Sequence, residues 1–312
     1  MYDPQLSDLV TAAVARLQTE MAQAAPVMAH HVARWMQYLS GTARPENYFK
    51  HPQAFPSLLL PWWLEKTICD SPDLPFQADL AYSTINGYYA IRLIDNLMDG
   101  HATVELKLLP ALSFFQTQFQ AVYRPYFAAD QPFWDSFNTI WFHSAEATLQ
   151  DATLTDLDAR QFEQVSAQKV CAAKIPLAAA CYRHSRPDLI EPWSHLVDLL
   201  GCWHQLLNDL FGWHRDYACQ TRTYFLAEAE RRREADEPVA GWVAREGFGW
   251  AIGKSYGWMS ALKVLADDLH SPELIAYLET RETMLHRQTQ EVTAGLETIS
   301  KIVAGSRRAN SK

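Results

Sequence analysis

The sequence predicts an all-α protein folded as a single domain over residues 1–312. Three observations predict it. Apolar residues recur at the helical period along almost the whole chain, the period-two alternation of strands is scarce, and no repeat, low-complexity tract or linker sets off a second domain. With 312 residues, 48% of them hydrophobic and 20% charged, the chain can bury one large core, and its composition argues against disorder.

The elements follow in order. A first helical region spans roughly 5–39 and is interrupted near Pro26, because proline inside a helix removes a backbone hydrogen bond. A connection containing Pro, Asn and His covers 44–56. The apolar stretch FPSLLLPWWL at 55–64 is only half the length of a membrane-spanning helix, so it is read as a core element. Peripheral contact with a membrane or a lipid-like substrate is the alternative. A helix over 77–99 is expected to end at Gly100, a residue suited to the left-handed turn after a helix. Further helices are expected near 104–123, 131–149, 155–183, 187–216, 222–235, 238–252, 255–270 and 272–304. Residues 1–76 are expected to pack as N-terminal helices on the rest, and 305–312 to fray. Pro176 should free the carbonyl of Ala172 and kink the helix that contains it.

Two acidic patches carry the chemistry. In DNLMD at 95–99, Asp95 and Asp99 stand four residues apart, so their carboxylates share one helix face about a turn apart. Their neighbours Ile91, Leu93, Ile94, Leu97 and Met98 are apolar. Charge near such a surface is costly unless it is paired or metal-bound. Arg92, one turn before Asp95, can meet either a carboxylate or a diphosphate oxygen. NDLFGWHRD at 208–216 repeats the pattern: Gln205, Asn208, Gly212 and Asp216 are read on one stripe, with Asp209 about 100° away from it. Mg²⁺ takes hard oxygen ligands and shares its remaining positions with water and substrate phosphates. Asp95, Asp99, Asn208 and Asp216 are therefore the expected metal ligands. Arg215, Arg222 and Tyr224 supply donors for phosphate oxygens, for which the planar arginine fork is suited. The bland reading of each patch is a solvated helix face with local ion pairs.

Charge and cysteines narrow the classes. A net charge of -9 argues against an extended nucleic-acid surface, which needs clustered Lys and Arg. Cys69, Cys171, Cys181, Cys202 and Cys219 form no CxxC pair or framework, so spacing favours neither a zinc site nor a disulfide scaffold. The N-terminus MYDPQLSDLV lacks the basic and apolar regions of a signal peptide, and a cytoplasmic location is expected.

On these residues the chain resembles the class I isoprenoid synthase superfamily, which includes trans-prenyltransferases, terpene cyclases and squalene/phytoene synthases. YYAIRLIDNLMDG at 88–100 is similar to the tyrosine, arginine and DxxxD pattern of squalene/phytoene synthases and to the aspartate-rich motif of terpene synthases. GCWHQLLN followed by RTYF at 222–225 resembles phytoene synthases, whereas NDLFGWHRD resembles the NDLxSxxxE metal motif of terpene cyclases. The resemblance covers roughly 85–226. It implies a helical bundle with a central active-site pocket, Mg²⁺ as cofactor with three ions, and a prenyl diphosphate substrate. It also implies catalytic roles for Asp95, Asp99, Lys169 and Arg215, with Lys169 near the position of a diphosphate-sensing Arg or Lys. Arg92, Lys174, Arg222, Tyr224, Tyr88 and Trp203 become substrate-binding candidates, the two aromatics Tyr88 and Trp203 as walls of a carbocation cage together with Tyr89, Phe162, Phe211 and Trp213. A homodimer is the favoured assembly.

The chain departs from the pattern at three positions. Gly212 stands where Ser, Thr or Asp is usual, Asn96 replaces a second aspartate, and Asp216 is one methylene shorter than Glu. The activity expected first is a Mg²⁺-dependent terpene synthase that ionises a prenyl diphosphate and cyclises or rearranges the carbocation. A head-to-head condensing enzyme and a non-catalytic isoprenoid-binding descendant are the alternatives.

Overall fold

A computed structural model describes residues 2–98, 106–153 and 157–309, with 151–153 and 296–309 described by backbone alone. The described residues are almost entirely helical and contain no strand. Proline begins several helices, where its missing N–H has no partner to lose. α1 spans Pro4–Ala24, and Pro26 starts α2, Pro26–Ser40. Gly41 then closes α2 at φ 65, the left-handed cap that the helix end requires. The connection after it holds a short α3, Glu46–Phe49. FPSLLLPWWL contributes to α4, Leu59–Ile68, and every residue from Leu58 to Glu65 is buried. This corrects the alternative of a membrane-touching patch for that segment: it is core.

α5, Leu74–Met98, is buried on nearly all sides through its middle, from Phe76 to Ala90. A helix apolar all round belongs at the centre of a bundle. α1 and α6, Ala111–Ala121, flank it, and α7, Pro132–Thr153, follows. Gly100, expected to end α5, lies outside the described residues, as does Asp99.

The helix expected over 155–183 is divided. α8, Ala159–Lys169, opens with a capping box between Asp158 and Gln161. A 3₁₀ turn at Cys171–Ala173 leads into α9, Lys174–Arg183, with Pro176 in its first turn, where proline is tolerated. Residues Ile175 to Cys181 are all buried, and α9 packs against α4, α5, α7 and α10, Ile190–Ala218. α10 is the second long central helix, packed on α8, α9, α11 (Tyr224–Arg232) and α13 (Phe248–Asp268). The chain then runs through α12, Val239–Trp242, and a π-helical turn at Val243–Gly247 into α13, Phe248–Asp268. The break expected near 252–255 is absent, since helix continues from Val239 to Asp268 with the π-helical turn as its irregularity. That turn lies where Trp242 packs over Gly247, so close that a Cβ there would stand 2.4 Å from its ring. α14 spans Pro272–Ala309.

Gly201 sets how closely α10 crosses the α8–α9 break. A Cβ at this position would lie 2.5 Å from Val170 Cγ2 and 2.9 Å from the Ser166 carbonyl oxygen. Backbone cannot yield as a side chain does. Gly201→Ala is accordingly expected to destabilise the fold by about 1–3 kcal/mol, the usual cost of overpacking, despite alanine's better helix propensity. Chemical denaturation would read this as a lower midpoint at unchanged slope, and a stabilised Gly201→Ala variant would contradict the close crossing.

Candidate active site

Asp95 sits in the last turns of α5, its side chain 19% exposed, and accepts from Arg92 Nη1 at 3.1 Å. Arg92 has a second feature: its Nε is buried and has no hydrogen-bond partner among the described residues. Asn96 beside them is buried. Asp99, the second carboxylate of the motif, is outside the described residues.

On α10 the inward stripe differs by one residue from the expected one. Asp209, expected to point away, is 3% exposed, whereas Asn208 is exposed. Asp209 Oδ1 accepts from Gln205 Nε2 at 2.8 Å, and Asp209 Oδ2 accepts from the backbone N–H of Tyr224 at 3.2 Å. Burial pushes its carboxyl up to about 7, with nearby Asp216 adding to the rise; Gln205, Lys169 and the Tyr224 N–H oppose it. Gln205, Asp209, Gly212 and Asp216 thus form the inward line, with steps of four, three and four residues that hold one side of a helix. That spacing is present in the sequence. The resemblance to NDLxSxxxE draws attention to Asn208 instead.

Asp216 is buried and takes two hydrogen bonds from its neighbour, Arg215 Nε at 3.1 Å and Nη2 at 3.0 Å, both to Oδ1. The space beside Gly212 is filled by the same pair: a Cβ there would be 3.2 Å from Arg215 Nη2 and from Asp216 Oδ2. A neighbouring side chain therefore stands where Ser or Thr would have offered oxygen. Arg215 itself is largely exposed.

Lys169, at the end of α8, lies near enough to Asp209 to favour its charged form. Lys174 does not join them. Its Nζ is 2.6 Å from Asp198 Oδ1. Asp198 is 18 residues before Asp216 on α10, about 27 Å along the axis at ~1.5 Å per residue. Removing Lys174 is accordingly expected to leave diphosphate turnover within about twofold, as for a half-buried ion pair remote from the chemistry; parallel rate measurements on Lys174→Ala check this.

Arg222 is exposed just before α11 and, with Thr221, Thr223, Tyr217, Glu230 and Arg231, lines an open depression of about 820 Å³. Arg231, which no motif singles out, also donates to the Leu157 carbonyl at 2.6 Å. Tyr224 is buried, its ring stacked on Phe162 with centroids 4.4 Å apart. Burial pushes its hydroxyl up to about 12. Tyr88 packs among Tyr48, Phe49 and Tyr89. Trp203 is fully buried with the Arg281 guanidinium 4.9 Å over its ring. Of the other aromatic candidates, Tyr89 and Phe162 are buried, and Phe211 and Trp213 are half-buried against the core. Neither Tyr88 nor Trp203 lines the 820 Å³ depression.

This arrangement of helices is shared with a solved structure, geranylgeranyl pyrophosphate synthetase from the archaeon Geoglobus acetivorans, with a TM-score of 0.63 over 91% of this chain and 99% of that one. The chain has an isoprenoid synthase fold. Sequence identity in that comparison is 12%, so what is shared is the fold. No protein-family model matches the sequence, and no curated protein matches it. Among the described residues, no helix is long and apolar enough to cross a membrane, and Cys69, Cys171, Cys181, Cys202 and Cys219 are all free thiols.

Proposed function

We propose that the chain is a Mg²⁺-dependent terpene synthase that ionises a prenyl diphosphate and cyclises or rearranges the carbocation. The observation that carries this is the buried Nε of Arg92, without a partner among the described residues, beside the half-buried Asp95 in an isoprenoid synthase fold. A buried N–H without a partner costs about 1–3 kcal/mol, and an incoming phosphate oxygen would offset that cost.

The donor set suits Mg²⁺, because Asp95, Asp99, Asn208 and Asp216 offer oxygen alone. These four would hold the metal, which when bound would neutralise the charge that builds on the departing diphosphate. Arg92 supplies a free donor to a phosphate oxygen. Arg215 and Arg222, both exposed, add charge at the same end of α10, and Lys169 stands by the buried Asp209. The aromatic core around α5 would exclude water from a cation held beside it.

A second reading is a head-to-head condensing prenyltransferase. The depression bordered by Arg222 and Arg231 favours it, since it places two cationic side chains, of which Arg231 is paired with Glu228, outside the α10 stripe where a second diphosphate would lie. Incubation with Mg²⁺ and prenyl diphosphates of several chain lengths, followed by diphosphate assay and extraction, tests both. The terpene synthase reading expects Mg²⁺-dependent diphosphate release and a product with the carbon number of its substrate. A product of twice that number would establish condensation, and absence of release with every substrate would refute both.

A further inference from the structure

Away from the acidic motifs, the C-terminal ends of α4 and α9 bring together three side chains of different donor type. Glu65 and Cys69 are four residues apart at the end of α4, and His184 is the residue that closes α9. One donor atom from each lies within 4.8 Å of the other two. Glu65 is completely buried. Its Oε1 is 2.7 Å from His184 Nε2, and its Oε2 accepts from Gln77 Nε2, also at 2.7 Å. The Cys69 thiol donates to backbone carbonyl oxygens, at 3.2 Å to Glu65 and 3.4 Å to Ser71.

A buried carboxylate is normally matched by a cation. Lys66 pairs with Glu273 and Arg183 donates to Asp73 at 2.6 Å, so the ionisable group facing the Glu65 carboxylate is His184. Thiolate sulfur, imidazole nitrogen and carboxylate oxygen are the ligand types of zinc. They differ from the all-oxygen set on α5 and α10, which suits a harder ion.

We propose that Glu65, Cys69 and His184 form a zinc site that fastens the end of α4 to the end of α9. At usual zinc–ligand distances of about 2.0–2.3 Å, neighbouring ligand atoms in a tetrahedron stand roughly 3.3–3.8 Å apart. The cluster accommodates this once the His184 ring withdraws from Glu65 by several tenths of an ångström. Water completes the fourth position. The Cys69 proton is released to solvent on binding, so affinity rises with pH. Gln77 orients Glu65 from behind, a supporting role that carboxylate ligands commonly require. Sequence spacing does not reveal the site, since 115 residues separate Cys69 from His184 and no CxxC is involved.

The test uses the full chain, stripped with chelator and titrated with Co²⁺ and then Zn²⁺. One equivalent of Co²⁺ is expected to give the intense visible bands of a tetrahedral ion and a near-ultraviolet sulfur-to-cobalt charge-transfer band, both abolished by one equivalent of Zn²⁺. Cys69→Ser should remove the charge-transfer band, His184→Gln should weaken binding by at least about tenfold, and Gln77→Leu by about tenfold. Zn²⁺ should also raise the unfolding temperature of the unaltered chain and leave that of Cys69→Ser unchanged. A chain carrying Asp95→Asn and Asp216→Asn should keep the full cobalt spectrum, which separates this site from the proposed Mg²⁺ ligands. Absence of a charge-transfer band, or its persistence in Cys69→Ser, would overturn the assignment whether or not the chain turns over a prenyl diphosphate.

Discussion

Asp95→Asn is expected to slow diphosphate release by about a thousandfold at saturating substrate, the scale of losing one preorganised electrostatic contact at the reacting centre. The folded chain should survive the change. Asp95 is 19% exposed and its described hydrogen bond is to Arg92, so the amide keeps an oxygen for Arg92 Nη1 and the helix keeps its surroundings. Helical circular dichroism and the denaturation midpoint should therefore stay near those of the unaltered chain, with the loss confined to the rate. Raising Mg²⁺ should recover part of the rate if the lost carboxylate is a ligand. An Asp95→Asn chain as active as the original would mean that the Arg92–Asp95 pair is an ordinary helix-surface ion pair, worth roughly a few tenths of a kcal/mol.

The fold is legible because it rests on periodicity. The helices around Pro26, the long α5 and the long α10 are all marked by apolar spacing and by proline or glycine near their ends, and each appears within a few residues of the expected bounds. The division of 155–183 is only half legible. Pro176 signals an irregularity, but the turn at Cys171–Ala173 precedes it, because the proline is accommodated at the start of α9 while Gly201 lets α10 press against the Ser166–Val170 end of α8. The π-helical turn before α13 is not legible, since it arises from the fit of one tryptophan over one glycine.

The candidate site is legible in composition and less so in register. Motif resemblance points to this stretch of α10, and helix phase reckoned from Asn208 sets Asp209 off the stripe, yet Asp209 is the buried residue and Asn208 the exposed one. Lys174 shows the same limit from the other side. Its sequence position suits a diphosphate contact, but a carboxylate from a distant turn of α10 holds it, and no spacing rule within α9 encodes that partner.

Stability should depend on pH through Asp209, and Asp209→Asn should remove that dependence. The carboxyl titrates at 3.8 in an ordinary setting and at about 7 in the fold, chiefly because burial disfavours its charge. In the folded chain it therefore binds a proton over a range where the unfolded chain has released it. A group raised in this way contributes its full stability below pH ~4, loses it as pH rises, and contributes nothing further above pH ~7. At about 1.4 kcal/mol per pKa unit the span is on the order of 4 kcal/mol, the opposing pull of Lys169 already included. The replacing amide is neutral at every pH. Its NH₂ can face Gln205 once that side chain's own amide is turned, and its oxygen can still accept from the Tyr224 N–H, so the link between α10 and the start of α11 persists. Denaturant unfolding of both chains from pH ~4.5 to ~8, a range chosen to bracket the shifted carboxyl, measures the difference, in which every other titrating group cancels. Asp209→Asn should match the unaltered chain at the acid end and exceed it progressively toward the alkaline end. A difference that stays constant across this range would show that Asp209 is ionised throughout, held so by Lys169.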